Sequence, residues 1–444
     1  MLLSSSIVCA GNDYLVTFGL GQQRGADASP YEAAARTHKE TRSFLLQKIR
    51  DIRIIQSFVV SNSFHVCAME KEIQVLENEE KVLEITKMAK NTLGITGKNT
   101  AQKNTKWNME KIGLFRLWKK LGGRRSRLVF GIADTGVDHN HPLIKNSYRG
   151  RRTGSHDYNW FDAVTENTLD LEDKNRCGYS LKEPCDDIGH GTHITSVAVG
   201  VDGYGVAPGF QWIACRNMDR GYGSFQQYLR CLEFFLAPFN RKGRNPRPAL
   251  RPDVICNSYE CTEKDGCSQH AFENAISMLR AAGVVVVAAA GNSGPSFLSI
   301  QDSPCNERLA ISVGATDSED RLAGFSSRGP VLDDRGEYIK PEICAPGVRI
   351  PGAGVDGKFE SRSGTSMAAP HVCGAFLLLL EFFPELAVKK DLLLNILQAT
   401  AVPIPSSGGS VPNNSSGYGR IDIYEAVKMC QDLCGRQGEN RLVE

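Results

Sequence analysis

The second part of the sequence alternates short, continuously apolar runs with helix-like segments, and this pattern restricts the fold more than any other feature. The apolar runs include RLVFGIAD, FQWIACRN, DVICNS, VVVVAAAGN and LAISVGAT, and segments such as AFENAISMLRAAG separate them. Strands that are apolar on both faces must be covered on both faces. The pattern therefore predicts an α/β fold with a mainly parallel sheet between two helical layers. In such folds the loops at the carboxyl ends of the strands carry the chemistry.

A smaller unit precedes this region. Residues 12–88 read as strand, helix, strand, strand, helix and strand, which predicts a ferredoxin-like α+β domain. Its first helix has Ser29 as a candidate N-cap and Pro30 at its first position. Residues 89–106 are polar and have no apolar periodicity, so we expect an exposed linker there.

Composition and charge exclude several classes of function. The chain has 444 residues, 41% of them hydrophobic and 23% charged, and its formal net charge is +2. We therefore expect no nucleic-acid partner and no anionic membrane surface as a partner. The longest apolar runs are shorter than the ~20 residues that cross a bilayer, so no membrane span is expected. The start, MLLSSSIVCAGND, lacks a basic region and is a poor match to a signal peptide.

Cysteine usage indicates an oxidising compartment. Cys256 and Cys373 lie in apolar segments, which is typical of buried thiols. No cysteine spacing matches a zinc site. Tandem glycosylation sequons begin at Asn413 and Asn414, and with the cysteines they favour a secreted or vacuolar, extracytoplasmic protein. Two pairs lie close together in loop-like sequence and predict local disulfides: Cys177 with Cys185, and Cys261 with Cys267.

Four polar residues stand where a parallel sheet would present its loops. They are Asp134 at the end of LVFGIAD, His190 in DDIGHGTHITSVAVG, Asn292 after VVVVAAAG, and Ser366 in the turn before an apolar stretch. Each has a structural alternative as a strand-end, core or capping residue. A zinc site on His190 and His193 is a further alternative, although no HExxH glutamate lies between them. Their shared position on carboxyl-end loops favours one common catalytic site.

These four residues supply every group that acyl transfer through a serine needs. A serine hydroxyl is a poor nucleophile at neutral pH and needs an adjacent base. Neutral His190 takes the proton and returns it to the leaving amine, while Asp134 fixes the tautomer and stabilises the imidazolium. The oxygen of the tetrahedral intermediate needs two donors. Asn292 supplies one, and the backbone N–H of Ser366 at a helix N-terminus supplies the other.

At this point the chain resembles the subtilisin-like serine proteases, or subtilases. The motifs that carry the resemblance are FGIADTGVDHNHP, GHGTHITSVAVG, GVAPG, AAAGNSGP, FSSRGP, KPEICAPG, GTSMAAPHVCG and GYGRIDIYEAV. They cover residues 107–428, which the resemblance makes a peptidase domain, and leave 429–444 as a tail. The resemblance assigns four residues to the triad and the oxyanion hole and marks His193 as structural. The four are Asp134, His190, Ser366 and Asn292.

The resemblance also implies how the protein works. It implies a serine endopeptidase that acts on polypeptides, needs no cofactor for catalysis, and is made as an autoprocessed zymogen and a monomer. Residues 12–88 would be the propeptide and intramolecular inhibitor, with cleavage between residues 88 and 106. Two alternatives remain open, which are a catalytically silent subtilase-like binding protein and a metallohydrolase. A permanent regulatory role for the front unit is also open.

Two positions depart from the family pattern. Leu143 stands where many relatives have a calcium-binding aspartate, so that site is doubtful, and the acidic segment TENTLDLEDKNR keeps other calcium sites open. Glu260 stands where relatives usually have glycine. It is either a carboxylate at the specificity pocket that favours basic or polar side chains, or a solvated glutamate beside the predicted 261–267 loop. The resemblance assigns four residues to substrate binding: Ser258, Tyr259, Glu260 and Gly291.

Overall fold

The computed structural model describes most of the chain, in nine segments. These are residues 12–20, 29–49, 52–88, 106–121, 126–168, 175–262, 266–386, 389–405 and 410–435. The predicted linker, 89–106, lies outside the described residues except for its last position. Part of the acidic segment, 169–174, also lies outside them.

The front unit has the predicted order of elements. Its strands pair antiparallel in the order β2-β3-β1-β4, and two helices complete the ferredoxin-like arrangement. Helix α1 begins with a capping box in which Ser29 and Glu32 bond each other's backbone N–H groups. Val16, Phe64 and Leu45 are fully buried between sheet and helices. The elements are β1 Asn12–Phe18, α1 Pro30–Lys48, β2 Arg53–Phe58, β3 Ser63–Ala68, α2 Glu70–Glu77 and β4 Val82–Lys87.

The main unit is built on a seven-stranded parallel sheet, which confirms the predicted α/β fold. The strand order is β13-β10-β9-β8-β5-β7-β6, and every pairing is parallel. Two short hairpins, β11–β12 and β14–β15, lie outside this sheet. The strands are β5 Val129–Asp134, β6 Trp160–Asp162, β7 Gln211–Arg216, β8 Val254–Asn257, β9 Val285–Ala289, β10 Ile311–Thr316, β11 Val331–Asp333, β12 Gly336–Tyr338, β13 Ile343–Pro346, β14 Ile350–Ala353 and β15 Phe359–Arg362. The helices are α3 Trp107–Lys111, α4 Leu114–Leu121, α5 Arg149–Thr153, α6 His190–Val199, α7 Phe225–Leu236, α8 Gln269–Ala281, α9 Thr365–Phe382, α10 Lys390–Ala399 and α11 Ile423–Leu433.

Each face of the main sheet packs against its own helical layer. Helices α6 and α9 cover one face and form the larger core, and α7 and α8 cover the other. Within the part of the chain that the structure describes, α9 alone is long and apolar enough to cross a bilayer. Since 89% of α9 is buried inside the protein, its apolar character is explained by its place in the core.

The front unit docks on α7 and α8, and one apolar core continues across the junction. Asn274 of α8 donates to the backbone carbonyls of Phe18 and Ser61, each at 3.1 Å. Glu233 of α7 accepts from the backbone N–H of Val59 at 3.0 Å. The front-unit side chains that enter the core of the α7–α8 face are Leu15, Ala34, Phe58 and Val60.

The structure extends two of the sequence predictions. Helix α11 runs through residue 428, where the domain boundary is predicted, and its Cys430 is fully buried in the larger core, so the packing of the main unit continues past that residue. Both predicted disulfides are present, and Cys256 and Cys373 are buried free thiols as expected. A third disulfide was not predicted, since its two cysteines lie in apolar runs. It joins Cys215 of β7 to Cys231 of α7.

His371, inside α9, is a buried neutral group on which stability depends. Its Nδ1–H donates to the Met367 carbonyl at 2.9 Å, and its Nε2 accepts from the Asn108 amide at 2.9 Å. Burial lowers the pKa of His371 from 6.5 to about 4. Above pH 6.5 the ring is neutral in both the folded and the unfolded chain. As pH falls from 6.5 towards 4, the unfolded chain takes up the proton first, so this contribution to stability is progressively lost.

The measurement uses the Ser366→Ala variant, in which the predicted nucleophile is removed so that the chain stays intact. We expect its free energy of unfolding to fall between pH 6.5 and 4, with about 3 kcal/mol of that loss due to His371. His371→Asn should be less stable at pH 7 but should show a shallower decline over this range. Denaturant unfolding followed at a series of pH values measures both slopes. His270→Asn is the control because its ring is half exposed. Equal slopes in the parent and His371→Asn would contradict the assignment.

Candidate active site

The predicted residues come together at the carboxyl edge of three neighbouring strands. Asp134 is the last residue of β5, Ser258 follows β8 directly, and Asn292 lies just beyond β9. Because β5, β8 and β9 are adjacent in the parallel sheet, their carboxyl ends open on one edge. The sheet topology therefore places all three residues at a single site.

Asp134 and His190 form a direct hydrogen bond. The Nδ1–H of His190 donates to Asp134 Oδ1 at 2.8 Å, and both side chains are buried. The backbone N–H of Thr135 donates to the same oxygen at 2.8 Å. With Nδ1 carrying the proton, Nε2 of His190 is the basic nitrogen, which is the tautomer that a general base for a serine requires.

Two glycines allow helix α6 to reach the turn that follows β5. A Cβ on Gly191 would lie 2.2 Å from the Gly136 carbonyl oxygen, so no side chain fits between them. Gly136 has φ +104°, and a Cβ there would lie 1.8 Å from the Cys185 carbonyl oxygen. The close backbone approach at these glycines brings His190, the first residue of α6, within bonding distance of Asp134.

Asp186 holds the same two elements together, and its role was not predicted. Its Oδ2 accepts from the backbone N–H and the hydroxyl of Thr192 in the first turn of α6, at 2.9 and 2.6 Å. Its Oδ1 accepts from Thr135 Oγ1 at 2.8 Å and from the Gly189 N–H at 2.8 Å. One carboxylate therefore caps the helix that carries His190 and binds the residue after Asp134. The signal in the sequence was an aspartate four residues before the histidine.

Ser366 lies at the start of α9, which runs parallel to α6. The Arg362 guanidinium, shortly before α9, donates to the Ile188 carbonyl shortly before α6 at 2.6 Å. Further along, a Cβ on Gly374 of α9 would lie 3.2 Å from the Ala198 carbonyl oxygen of α6. The two helix N-termini, with His190 and Ser366, are therefore side by side.

Ser366 and His190 are neighbours rather than hydrogen-bonded partners in this structure. Within the described residues, the Ser366 hydroxyl makes no hydrogen bond to the imidazole, although both side chains are buried at the same edge. Catalytic hydrogen bonds are often loose without substrate and tighten when it binds. The backbone N–H of Ser366 belongs to the first turn of α9, where helix N–H groups have no partner inside the helix.

Asn292 is oriented by the residue before the serine. Its Oδ1 accepts from the backbone N–H of Thr365 at 3.0 Å and from the Thr365 hydroxyl at 3.2 Å. The Thr365 hydroxyl oxygen also lies 3.2 Å from the Gly291 N–H, which donates to it. With its oxygen engaged, the amide of Asn292 has its Nδ2 hydrogens left to donate. Thr365 was not predicted as a site residue, although it stands inside the GTSMAAP motif.

His193 and Leu143 are both packed into the interior. Nε2 of His193 bonds the Ile350 carbonyl at 3.0 Å, and complete burial lowers the pKa of His193 well below its usual value. It faces away from solvent, in agreement with a structural role. Leu143 is buried in the larger core. Calcium binding elsewhere, for which the acidic segment was the candidate, stays a prediction because part of that segment lies outside the described residues.

The four predicted substrate-binding residues are placed differently from one another. Ser258 is buried, and its hydroxyl faces the Cys256 thiol at 3.6 Å. Tyr259 turns its side chain into the core, where its ring stacks on Tyr228 with centroids 4.2 Å apart and its hydroxyl donates to Asn257. Only the backbone of Tyr259 is therefore available to a substrate.

Glu260 and Gly291 are in contact beside Asn292. A Cβ on Gly291 would lie 2.2 Å from Glu260 Oε1, and the backbone N–H of Asn292 donates to the Glu260 carboxylate. Burial, together with repulsion from Asp302, raises the pKa of Glu260 to about 7, against the opposing effect of the Asn292 N–H. The side chain of Glu260 is only partly exposed, which favours the interpretation as a site carboxylate over that as a solvated glutamate. The sequence did not predict that Asp302 lies close enough to Glu260 to affect its pKa, and only the folded structure shows this.

An aspartate, a histidine and a serine, with amide and backbone donors at the carboxyl edge of a parallel sheet, define the class of serine hydrolases with an α/β fold. Comparison with known sequences narrows the class. The profile described as "Subtilase family" matches residues 125–419, about two thirds of the chain. This chain belongs to the subtilase family of serine proteases.

Individual relatives agree with this assignment. Bacillopeptidase F of Bacillus subtilis (strain 168) is 33% identical over 410 residues, which cover 86% of this chain and 27% of the relative. The mouse membrane-bound transcription factor site-1 protease is 28% identical over 319 residues, 70% of this chain and 26% of the relative. The chain thus spans about a quarter of the length of these relatives. The crystal structure of the epidermin leader peptide processing serine protease of Staphylococcus aureus shares the fold, with a TM-score of 0.66 and 18% identity over 96% of this chain and 99% of that one.

The contacts of Asn292 predict a graded loss of activity. If Nδ2 stabilises the oxyanion, Asn292→Ala should lower kcat by about 10²–10³-fold with little change in KM. Thr365→Val removes the hydroxyl that bonds Asn292 Oδ1 and accepts from the Gly291 N–H, and should lower kcat by a smaller factor. Thr365→Ser keeps the hydroxyl and serves as the control. Steady-state kinetics on a peptide substrate separates kcat from KM, and a change confined to KM would contradict the role.

Proposed function

We propose that this chain is a serine endopeptidase that cleaves polypeptides through an acyl-enzyme on Ser366. The observation that carries the proposal is the buried 2.8 Å bond between His190 Nδ1 and Asp134, at a helix N-terminus that the Arg362–Ile188 bond joins to the segment before α9. That bond leaves Nε2 of His190 as the basic nitrogen. A metallohydrolase centred on His190 and His193 is disfavoured because Nε2 of His193 is bonded to the Ile350 carbonyl inside the core.

The reaction follows from these contacts. His190 Nε2 takes the Ser366 proton as the serine oxygen attacks the substrate carbonyl, and Asp134 stabilises the imidazolium. The substrate carbonyl oxygen, which becomes negative in the tetrahedral intermediate, accepts hydrogen bonds from Asn292 Nδ2 and the Ser366 backbone N–H. His190 then gives its proton to the leaving amine, and the acyl-enzyme forms. A water molecule, activated by the same imidazole, releases the acyl group.

We propose that the front unit is an inhibitory propeptide that assists folding, and its contacts with the main unit support the folding role. Its sheet lies on α7 and α8 and shares their apolar core. Met88, at the end of β4, packs against this face, and its sulfur lies 3.2 Å from the Gln226 amide. A parallel sheet has many non-local contacts and folds slowly. A front unit that docks on α7 and α8 would lower the entropic cost of bringing distant segments of the sheet together.

We place the mature protein outside the cytoplasm. Three disulfides lie within the described residues, and each joins segments of the peptidase unit. Such bonds persist in oxidising compartments, where a protease also needs an inhibitor until delivery. We also propose that the protein is a monomer and that it cleaves its own chain between residues 88 and 106.

The direct test compares Ser366→Ala with the parent protein. The parent should react with a fluorophosphonate probe at Ser366 and should process itself, whereas Ser366→Ala should remain uncut and unlabelled. Ser363→Ala is the matched control, because Ser363 lies three residues before Ser366 and its hydroxyl accepts from the Arg349 N–H, away from the proposed chemistry. Intact-mass analysis measures both properties. A folded, processed parent that takes no label would favour the silent binding protein. Processing of pure Ser366→Ala at the normal bond would contradict autocatalysis.

The same proposal assigns a substrate preference to Glu260. Its partly buried carboxylate lies against Gly291, next to Asn292, and the Asn292 N–H donates to it. A partly buried carboxylate favours a cationic guest, because an opposite charge stabilises its ionised form. We therefore propose that Glu260 recognises lysine or arginine in the substrate, next to the bond that is cut.

The pKa of Glu260 gives this preference a pH signature. Because that pKa is about 7 in the free protein, the fraction of Glu260 that is ionised increases between pH 6 and pH 8. The ratio of kcat/KM for an arginine substrate to that for its glutamine analogue should rise over this range. Protonation of His190 affects both substrates equally, so its effect cancels in the ratio. In Glu260→Gln the ratio should be flat and at least about tenfold lower at pH 8. Glu273→Gln, on the exposed side of α8, is the control. An unchanged ratio in Glu260→Gln would exclude the assignment.

A further inference from the structure

Outside the catalytic site, and among the residues that the structure describes, one group of side chains has the composition of a metal site. His139, His156 and Glu183 come from three separate segments of the loops between β5 and α6, and one ligand atom from each lies within 4.8 Å of the others. We propose that these three residues bind a zinc ion. This site is independent of the proteolytic function and was not apparent from the sequence, because its ligands have no motif spacing.

Both imidazoles are already oriented as ligands. His139 Nδ1–H donates to the Pro184 carbonyl at 2.9 Å, and His156 Nδ1 bonds the Tyr148 hydroxyl at 2.9 Å. Because these bonds occupy Nδ1 of each ring, Nε2 is the nitrogen left to bind metal. A zinc-binding histidine almost always uses its other ring nitrogen in such an outer bond, which fixes the tautomer and the ring direction.

A buried aromatic residue holds the two rings together. The ring centroids of His139 and His156 each lie 5.8 Å from that of Tyr148, and the two imidazoles are 5.7 Å apart. Tyr148 is buried and stacks on Trp212 at 4.5 Å. The histidines are therefore positioned by the core, while the exposed Glu183 supplies the third ligand from the loop that the 177–185 disulfide closes.

The donor set selects the metal. Two imidazole nitrogens and one carboxylate suit zinc, whereas calcium and magnesium prefer oxygen ligands alone. Three protein ligands leave the fourth tetrahedral position to water. The nearby cation, Arg241, is engaged with Asp157 at 3.0 Å and with the Lys182 carbonyl at 2.9 Å, so its charge is partly neutralised.

The position of the site determines what zinc would do. His139 belongs to the loop that follows Asp134, and Glu183 lies in the segment that leads into His190. A metal bound here ties these two loops to the segment between α5 and β6. It therefore acts as a clamp that stabilises the loops on both sides of the Asp134–His190 bond. The competing explanation is that the histidines only pack against Tyr148.

The test is zinc titration of two proteins. One is the intact Ser366→Ala chain, in which no covalent adduct blocks the site around His190. The other is the parent protein, in which a fluorophosphonate blocks Ser366. Both should bind one equivalent of zinc per chain in competition with a chromophoric chelator, and cobalt in its place should give the absorption of a tetrahedral site. Zinc should also raise the unfolding midpoint, and chelator should reverse that rise.

Variants locate the site. Glu183→Gln changes an exposed side chain, so it should fold normally while weakening zinc binding at least tenfold; His156→Gln should abolish binding. Glu166→Gln removes an exposed carboxylate from the same loop region and should bind zinc as the parent does. Absence of stoichiometric binding, or equal affinity in Glu183→Gln and Glu166→Gln, would overturn the proposal.

Discussion

The site depends on how closely two helices approach each other and the edge of the sheet. At Gly191 there is no room for a side chain between α6 and the turn after β5, and at Gly374 a Cβ would lie 3.2 Å from the Ala198 carbonyl oxygen of α6. Because neither glycine has a side chain, α6 reaches Asp134 and α9 lies directly against α6. The rest of the chemistry follows from this spacing, since it brings a histidine and a serine at two helix N-termini to one strand end.

The fold was predictable because its signal is spread over many residues. The central strands β5, β8 and β9 are buried on both faces, so each appears in the sequence within a continuous apolar run. The front unit was predictable for a different reason, since its strands and helices follow one another in a local order. The triad residues were identified because strand ends and helix starts carried unusual polar residues in a fixed chain order.

What could not be predicted depends on contacts between distant segments. The side chain of Tyr259 points into the core because Tyr228 of α7 offers a ring to stack on, and no local pattern records that partner. Asp186 and Thr365 act through hydrogen bonds to Thr192 and Asn292, which only the folded chain brings near. The disulfide between Cys215 and Cys231 joins a strand to the helix that covers it. In each case the partner was visible in the sequence and the distance was not.

The apolar core that continues from the front unit into α7 and α8 has a consequence for the lifetime of the assembled protein. Leu15, Phe58 and Val60 are fully buried at that junction, and Asn274 and Glu233 hold the neighbouring backbone. The proposed cleavage behind the front unit would leave these contacts untouched. The severed piece would then stay bound until it dissociates or is itself degraded, so its residence time, rather than the moment of chain cleavage, would govern when the two parts separate.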